Sequence, residues 1–175
     1  MKYQCRLKIH AAHSISMLAK DVPRARAIFK QALGENPNAS TVHMLASMNL
    51  SFLDRPAEAL EHARYSVLLS PKDPMRHAAY LSQGAALFQL GRYSEAVEAA
   101  RTALSIRSSF VMTHLMLIAS LAQEGDITSA RAAVSDLRQL RPDLDLTEQS
   151  KLPIFTVPRS AERWREGWRL AGLLP

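Results

Sequence analysis

The chain has 175 residues, of which 47% are hydrophobic and 22% are charged, a composition near the globular average that excludes a largely disordered protein. Its net charge of +6 raises the question of whether it binds nucleic acid. The sequence contains no run of about 18 apolar residues that would span a membrane. The single cysteine, Cys5, cannot form an internal disulfide bond, which favours the reducing cytoplasm. Taken together, these features lead us to expect a globular cytoplasmic protein without a membrane partner.

The N-terminal region predicts a pair of helices. A helix at about 6–18 precedes a second helix, which begins at the capping residue Asp21 and carries Pro23 in its first turn, where proline costs little. Gly34 and Pro37 mark the end of this second helix. The two helices therefore form one helical hairpin.

The next segment predicts a second hairpin of the same kind. Ser40 is the expected N-cap of a helix that ends near Phe52. Pro56 lies at the first turn of a helix that continues to Leu69, where its fixed φ and missing N–H are tolerated.

Extra residues at 71–76 connect the second hairpin to the third. Asp73 as N-cap and Pro74 as the first helical residue predict a helix that begins about one turn early, since the three added residues are close to the 3.6 of a helical turn. We therefore expect a longer helix here and not a break between domains.

The stretch 80–106 has the clearest helical period in the chain. Small and apolar residues recur at helical spacing on both sides of Leu90-Gly91-Arg92, which predicts two short amphipathic helices joined by a turn. A fourth hairpin follows at 111–140, with Ser108 or Ser109 as its cap and a glycine turn between its helices.

The third hairpin resembles the tetratricopeptide repeat (TPR) signature of 34 residues. It has an aromatic at Tyr80, Gly84 where two helices approach closely, then Leu87, Ala96 and Ala103. Alanines equivalent to Ala96 are spaced by 34, 37 and 34 residues, at Ala25, Ala59, Ala96 and Ala130.

This resemblance implies an all-α fold, a right-handed α-α superhelix (TPR solenoid) of four helical hairpins plus a C-terminal helix. The repeats would lie within a single TPR domain, 1–175, at about 6–39, 40–73, 77–110 and 111–144. Each repeat buries its hydrophobic face against its neighbours, and four exceed the roughly three that such a stack needs.

The tail, 145–175, differs from the repeats. A segment containing Phe155 alternates prolines with large apolar residues, which predicts extended chain on the surface. A short helix at about 160–171 then places Trp164 and Trp168 on one face. These tryptophans need cover, so we expect the helix either to cap the last repeat or to fold back into the ligand groove.

In TPR proteins the first helices of successive repeats line a concave groove that contacts ligands. Carried over by resemblance, the groove positions here are His10, Ser14, Met17, Met44, Met48, Ser51, Phe52, Leu81, Ala85, Phe88, Gln89, Met112, Leu115, Ala119 and Gln123. This surface is mostly apolar and rich in methionine, which suits an apolar peptide or helix because thioether side chains repack around different partners. The basic clamp of some TPR proteins for a peptide carboxylate is absent. The alternative is that these side chains belong to the core.

The sequence offers little for catalysis or for a metal. His10 and His13 lie three residues apart on a predicted helix, but no cysteine or carboxylate cluster completes a site near them. Phosphate loops, nucleophile elbows and Cys/His pairs are also missing, so we expect no enzyme and no cofactor. Charges of both signs alternate along the second helices, which is typical of a solvated face and not of a nucleic-acid site.

The end of the sequence resembles a second group of proteins. Its proline-flanked apolar stretch, short basic helix and terminal LAGLLP are similar to the ends of bacterial class III adenylate or guanylate cyclases that carry C-terminal TPR repeats, and of winged-helix regulators. Their catalytic or DNA-binding domains have no counterpart in these residues. We therefore predict a non-catalytic interaction module that binds a protein, a peptide or its own C-terminal tail. The alternative is the regulatory TPR region of a cyclase or of a transcription regulator.

Overall fold

A computed structural model describes residues 2–19, 21–151 and 157–175. The helices are α1 (Lys2–Leu18), α2 (Val22–Glu35), α3 (Ser40–Phe52), α4 (Pro56–Leu69), α5 (Arg76–Gln89), α6 (Tyr93–Ile106), α7 (Val111–Glu124), α8 (Ile127–Leu140), α9 (Leu146–Ser150) and α10 (Pro158–Leu170). The predicted all-α solenoid of helical hairpins with a C-terminal helix is confirmed. The segment around Phe155, for which extended chain was predicted, lies outside the described residues. Within the described residues, no helix is long and apolar enough to cross a membrane.

The hairpins stack so that their first helices share one face. α3 packs against α5 and also against α1, and α5 packs against α7. Each of α2, α4 and α6 contacts its own hairpin partner and the first helix of the next hairpin. We call the face formed by α1, α3, α5 and α7 the inner face.

Local sequence signals set several helix ends. Asp21 caps α2 as predicted, because its Oδ1 accepts a hydrogen bond from the Arg24 amide at 3.1 Å. Asp126 caps α8 in the same way, through the Ser129 amide at 3.0 Å. Gly125 ends α7 with a φ of +97°, a left-handed conformation that glycine adopts without strain.

The caps predicted for α3 and α7 are wrong. Their N-cap positions are Ala39 and Phe110, and neither side chain closes the helix end. Ser40 lies inside α3, where its Oγ donates a hydrogen bond to Ser66 O at 3.0 Å. This hydroxyl therefore joins α3 to α4 instead of capping α3.

The prediction that the first helix of the third hairpin begins one turn early is also wrong. α5 begins at Arg76, and the residues before it form turns. Asp73 Oδ1 accepts a hydrogen bond from the Met75 amide at 2.8 Å, and Asp73 O accepts one from the Arg76 amide at 3.0 Å. The added residues are absorbed by this turn because the Asp73 side chain bonds the backbone two residues on and stabilises it.

Within the part of the chain that the structure describes, the buried side chains form two clusters. The larger, here the C-terminal core, joins α3 to α8 with α10 and includes Phe88, Trp164 and Trp168. The smaller, here the N-terminal core, joins α1, α2, α3 and the start of α5 around Phe29. Met48 packs against both clusters and links them at the inner face.

Candidate functional site

A cavity of about 160 Å³ opens on the inner face. All four first helices contribute to it, together with α10 and the residue before α7. The lining is almost wholly apolar and consists of His13, Met17, Met48, Ser51, Phe52, Leu81, Ser82, Ala85, Phe110, Met112, Met116 and Trp164.

The lining residues divide into a buried floor and a partly exposed rim. The floor residues are each at most 9% exposed and are Ser51, Leu81, Ser82, Ala85, Met116 and Trp164. The rim residues are His13, Met17, Met48, Phe52, Phe110 and Met112. Because five of these six rim side chains are Met or Phe, the rim presents apolar surface that a partner can cover.

Phe110 is held in the rim by side chains from outside the cavity. Its ring meets the His77 ring edge-on, with centroids 5.2 Å apart, and the Arg107 guanidinium lies 5.3 Å from its centroid. His77 Nδ1 in turn lies 3.2 Å from Pro74 O. The turn before α5 therefore helps to orient one edge of the cavity.

α10 lies on the inner face beside the cavity, against α7 and to a smaller extent α5. Trp164 is stacked on Phe88, with ring centroids 3.6 Å apart and planes 16° from parallel. Trp168 Nε1 donates a hydrogen bond to Leu115 O at 2.9 Å. The C-terminal helix thus covers the last two hairpins from the inside.

Arg163 fixes α10 to the third hairpin. Its Nη1 donates a hydrogen bond to Tyr93 Oη at 3.1 Å, and its Nη2 donates one to Gln89 O at 3.0 Å. From the fourth hairpin, Gln123 Nε2 donates to Arg163 O at 2.8 Å. These polar bonds set the position of α10 along the inner face, and its two tryptophans, Trp164 and Trp168, are fully buried against it.

The structure distributes the predicted groove residues over three places. Seven line the cavity: Met17, Met48, Ser51, Phe52, Leu81, Ala85 and Met112. Five lie against α10: Phe88, Gln89, Leu115, Ala119 and Gln123. His10 and Ser14 are exposed and do not line the cavity, and Met44 belongs to the N-terminal core.

Five of the described cavity residues were not predicted as groove positions, namely His13, Ser82, Phe110, Met116 and Trp164, the last of which was predicted as a tail residue. His13 is one turn before Met17, so α1 turns this pair, and not His10, toward the cavity. Met116 likewise follows Met112 by one turn, a spacing that could have indicated it. Phe110 precedes α7, where a helical period gives no information.

Among the described residues of the lining, His13 is the one ionisable side chain. Burial lowers its pKa, and the neighbouring His10 lowers it further, which favours the uncharged imidazole, the form compatible with an apolar rim. In the described part of the chain, no group of three or more His, Cys, Asp or Glu side chains is placed to hold a metal ion. The geometry is suited to binding an apolar group.

Stacked helical hairpins with ligand-sized space on their inner face define an α-helical repeat protein of the solenoid type. Three solved structures share this architecture. A crystal structure of MamA has a TM-score of 0.67 at 16% identity, over 98% of this chain and 94% of that chain. PilW, described as a type IV pilus biogenesis factor, has a TM-score of 0.72 at 17% identity, over 93% and 73%.

The third structure is YrrB, described as a TPR protein with an unusual peptide-binding site. Its TM-score is 0.62 at 14% identity, over 94% of this chain and 85% of that chain. The protein therefore has the TPR fold, as the repeat pattern predicted. Identities this low establish the fold alone.

No protein-family model and no curated protein matches the sequence. None of the three structures is described as a cyclase. The likeness of the tail to the ends of cyclases therefore stays a prediction.

Proposed function

We propose that the protein is a non-catalytic interaction module of the cytoplasm that binds an apolar segment of another protein on its inner face. The observation that carries this proposal is the cavity, whose rim exposes Met and Phe side chains from α1, α3 and α7. Monomeric proteins seldom leave contiguous apolar surface uncovered unless it binds something. The description of YrrB as having a peptide-binding site supports the same class of ligand.

The chemistry of the rim favours an uncharged partner surface. Three of its residues, Met17, Met48 and Met112, have unbranched side chains that can adapt to the shape of a partner. The only ionisable side chain among the described rim residues is His13, whose lowered pKa disfavours the charged form that would attract a carboxylate. An apolar helix or extended segment therefore matches the rim better than an acidic peptide does.

The test is affinity capture from the source cells, with the wild-type protein and a Met48→Ser/Met112→Ser double variant as baits. Both side chains are only partly buried, so we expect the fold to persist while the apolar rim is lost. A partner that binds here should bind the double variant at least roughly tenfold more weakly, because residues at the centre of an interface carry most of its affinity.

Met75→Ser provides the matched control, since Met75 is 49% exposed and does not line the cavity. Circular dichroism melting curves establish that all three proteins are folded. Partners retained equally by the wild type and the double variant would place binding elsewhere and would contradict the proposal.

A further inference from the structure

The cavity is completed by a residue from outside the repeats. Trp164 of α10 is 0% exposed and forms part of the floor, while its ring is stacked on Phe88 of α5. The remaining floor comes from α3, α5 and α7. The C-terminal helix therefore shapes the site as well as covering the last two hairpins.

The size of the cavity limits what can enter it. Its volume is about 160 Å³, and apolar cavities of about 150 Å³ in proteins take up a single benzene ring. One phenyl-sized group therefore fits, whereas a helix does not. The backbone of any partner segment must remain on the rim and send one side chain inward.

α10 itself demonstrates how a helix lies on this face. It inserts Trp164 beside Phe88 and Trp168 beside Leu115, and its Gly167 permits close approach to Ala119. The cavity continues this apolar contact surface toward α3 and α1, where no described residue covers it. A second segment placed beside α10 would extend an interface that already exists.

We propose that the partner anchors one phenylalanine-sized apolar side chain in the cavity, against Trp164, and that α10 is thereby part of the binding site. This inference rests on the proposed function and adds to it the size of the anchor and the role of the C-terminal helix. Leu and Met side chains are similar in volume to a phenyl ring and would serve, whereas an Ala would leave the cavity empty.

The first test uses toluene as a ring-sized probe and NMR of ¹³C-methyl-labelled methionine. Of the seven methionines, Met17, Met48, Met112 and Met116 line the cavity. Their methyl resonances should shift as toluene is added. Those of Met44 in the N-terminal core and of exposed Met75 should not.

Ala85→Leu fills the floor and should weaken toluene uptake at least roughly tenfold, because inserted methylene groups overpack a site of fixed size. Ala57→Leu, at an exposed position of α4, is the matched control and should leave uptake unchanged. If Ala85→Leu does not fold, the smaller change Ala85→Val should weaken uptake to an intermediate degree. Shifts spread over all methionines, or uptake insensitive to both variants, would overturn the inference.

The second test selects binders from a random peptide library displayed on phage. Selected peptides should share one Phe, Leu or Met at a fixed position and should fail to bind Ala85→Leu. Peptides that lose binding to Met48→Ser but still bind Ala85→Leu would support the proposed function and contradict the anchor. Toluene uptake without any peptide sensitive to Ala85→Leu would also contradict it.

Discussion

Two serines one turn apart on α3 differ in what their hydroxyl groups contact. Ser47 Oγ donates a hydrogen bond to Ala59 O at 2.7 Å and also contacts Ser82 Oγ. Ser51 Oγ is equally buried, but it has no hydrogen-bond partner within the described part of the chain. A buried hydroxyl stabilises the fold only when it is paired, so the two residues should respond differently to truncation.

We predict that Ser47→Ala lowers the free energy of unfolding by about 1–3 kcal/mol, because the substitution leaves partner groups unpaired. Ser51→Ala should change it by no more than about 0.5 kcal/mol or should raise it. Urea denaturation of both variants measures the difference. The pair is matched in helix, atom type and burial, and equal losses in both would mean that the Ser51 hydroxyl is bonded after all.

A pair of histidines joins α3 to α4. Pro37 O can only accept a hydrogen bond, so His43 Nε2 donates to it at 2.8 Å. The Nδ1 of neutral His43 then accepts from the Nδ1–H of His62, also at 2.8 Å. If both rings were protonated, each Nδ1 would carry a hydrogen and a positive charge, and neither could accept the hydrogen bond across this short contact.

Stability should therefore fall in mild acid. Burial and the neighbouring His43 lower the pKa of His62, against a smaller opposing effect of Glu58 and Glu61. A His whose pKa is lowered by folding stabilises the protein fully above its unfolded pKa of about 6.5, and this contribution is lost as the pH falls through the folded pKa. We predict that the melting temperature decreases below pH 6.5.

His62→Gln removes the titrating ring while its amide can still donate a hydrogen bond to His43. The melting temperature of this variant, measured by circular dichroism between pH 7 and pH 5, should fall less than that of the wild type. Groups such as His13, whose pKa is also lowered, titrate in both proteins. The difference between the two proteins in how the melting temperature changes with pH therefore reports on His62. Parallel curves would contradict the assignment.

At the scale of helices, the position of α10 depends on one glycine. A Cβ atom on Gly167 would lie 2.9 Å from both Cα and O of Ala119, and this backbone cannot move without shifting α7. A Cβ atom on Gly84 would instead meet the end of the Met116 side chain, which is flexible and borders the cavity. The two glycines are therefore not equivalent, although both lie at close helix contacts.

We predict that Gly167→Ala separates α10 from α7 and lowers the free energy of unfolding by about 2–3 kcal/mol, whereas Gly84→Ala costs less. Trp164 and Trp168 are the only tryptophans in the sequence, so fluorescence reports on α10 alone. The emission of Gly167→Ala should shift to longer wavelength as the indoles become solvated. An unchanged spectrum for this variant would mean that α10 tolerates the extra carbon.

Sequence reasoning predicted the hairpins better than it predicted the placement of the tail. The alanine period and the turn glycines specify helices and their pairing, because both signals are local. Two tryptophans on one helical face specify only that the face is covered, and not which surface covers it. Phe88 and Leu115 were predicted as groove positions, and in the structure they contact α10.

The frame of the first repeat shows a second limit of sequence reasoning. Which of His10 and His13 faces the cavity depends on the rotation of α1, and a residue pattern sets that rotation only to within about one position. The predicted start of α5 was wrong for a related reason, because the three added residues are compatible in length with either an extra helical turn or a loop. The Asp73 side chain stabilises the loop.

The two hydrophobic cores of the molecule differ in size. The C-terminal core joins six hairpin helices with α10, whereas the N-terminal core joins α1 and α2 to α3 and the first turn of α5. α1 packs mainly against α2 and to a smaller extent against α3. The cavity lies where these two parts meet, because it is lined from α1 to α10.

In a solenoid, stability is close to a sum of terms for each repeat and each interface, so the parts need not open together. We predict that native-state hydrogen exchange, followed by mass spectrometry, gives lower opening free energies for amides of α1 and α2 than for those of α5 to α8. Phe29→Leu, which reduces packing in the N-terminal core, should lower protection in α1 and α2 and leave the C-terminal core unchanged. Phe88→Leu should lower protection in α10 as well as α5, because Trp164 is stacked on that ring. Equal losses across all helices in both variants would mean that the protein opens as one cooperative unit, and the rim of the cavity could not then adjust without global unfolding.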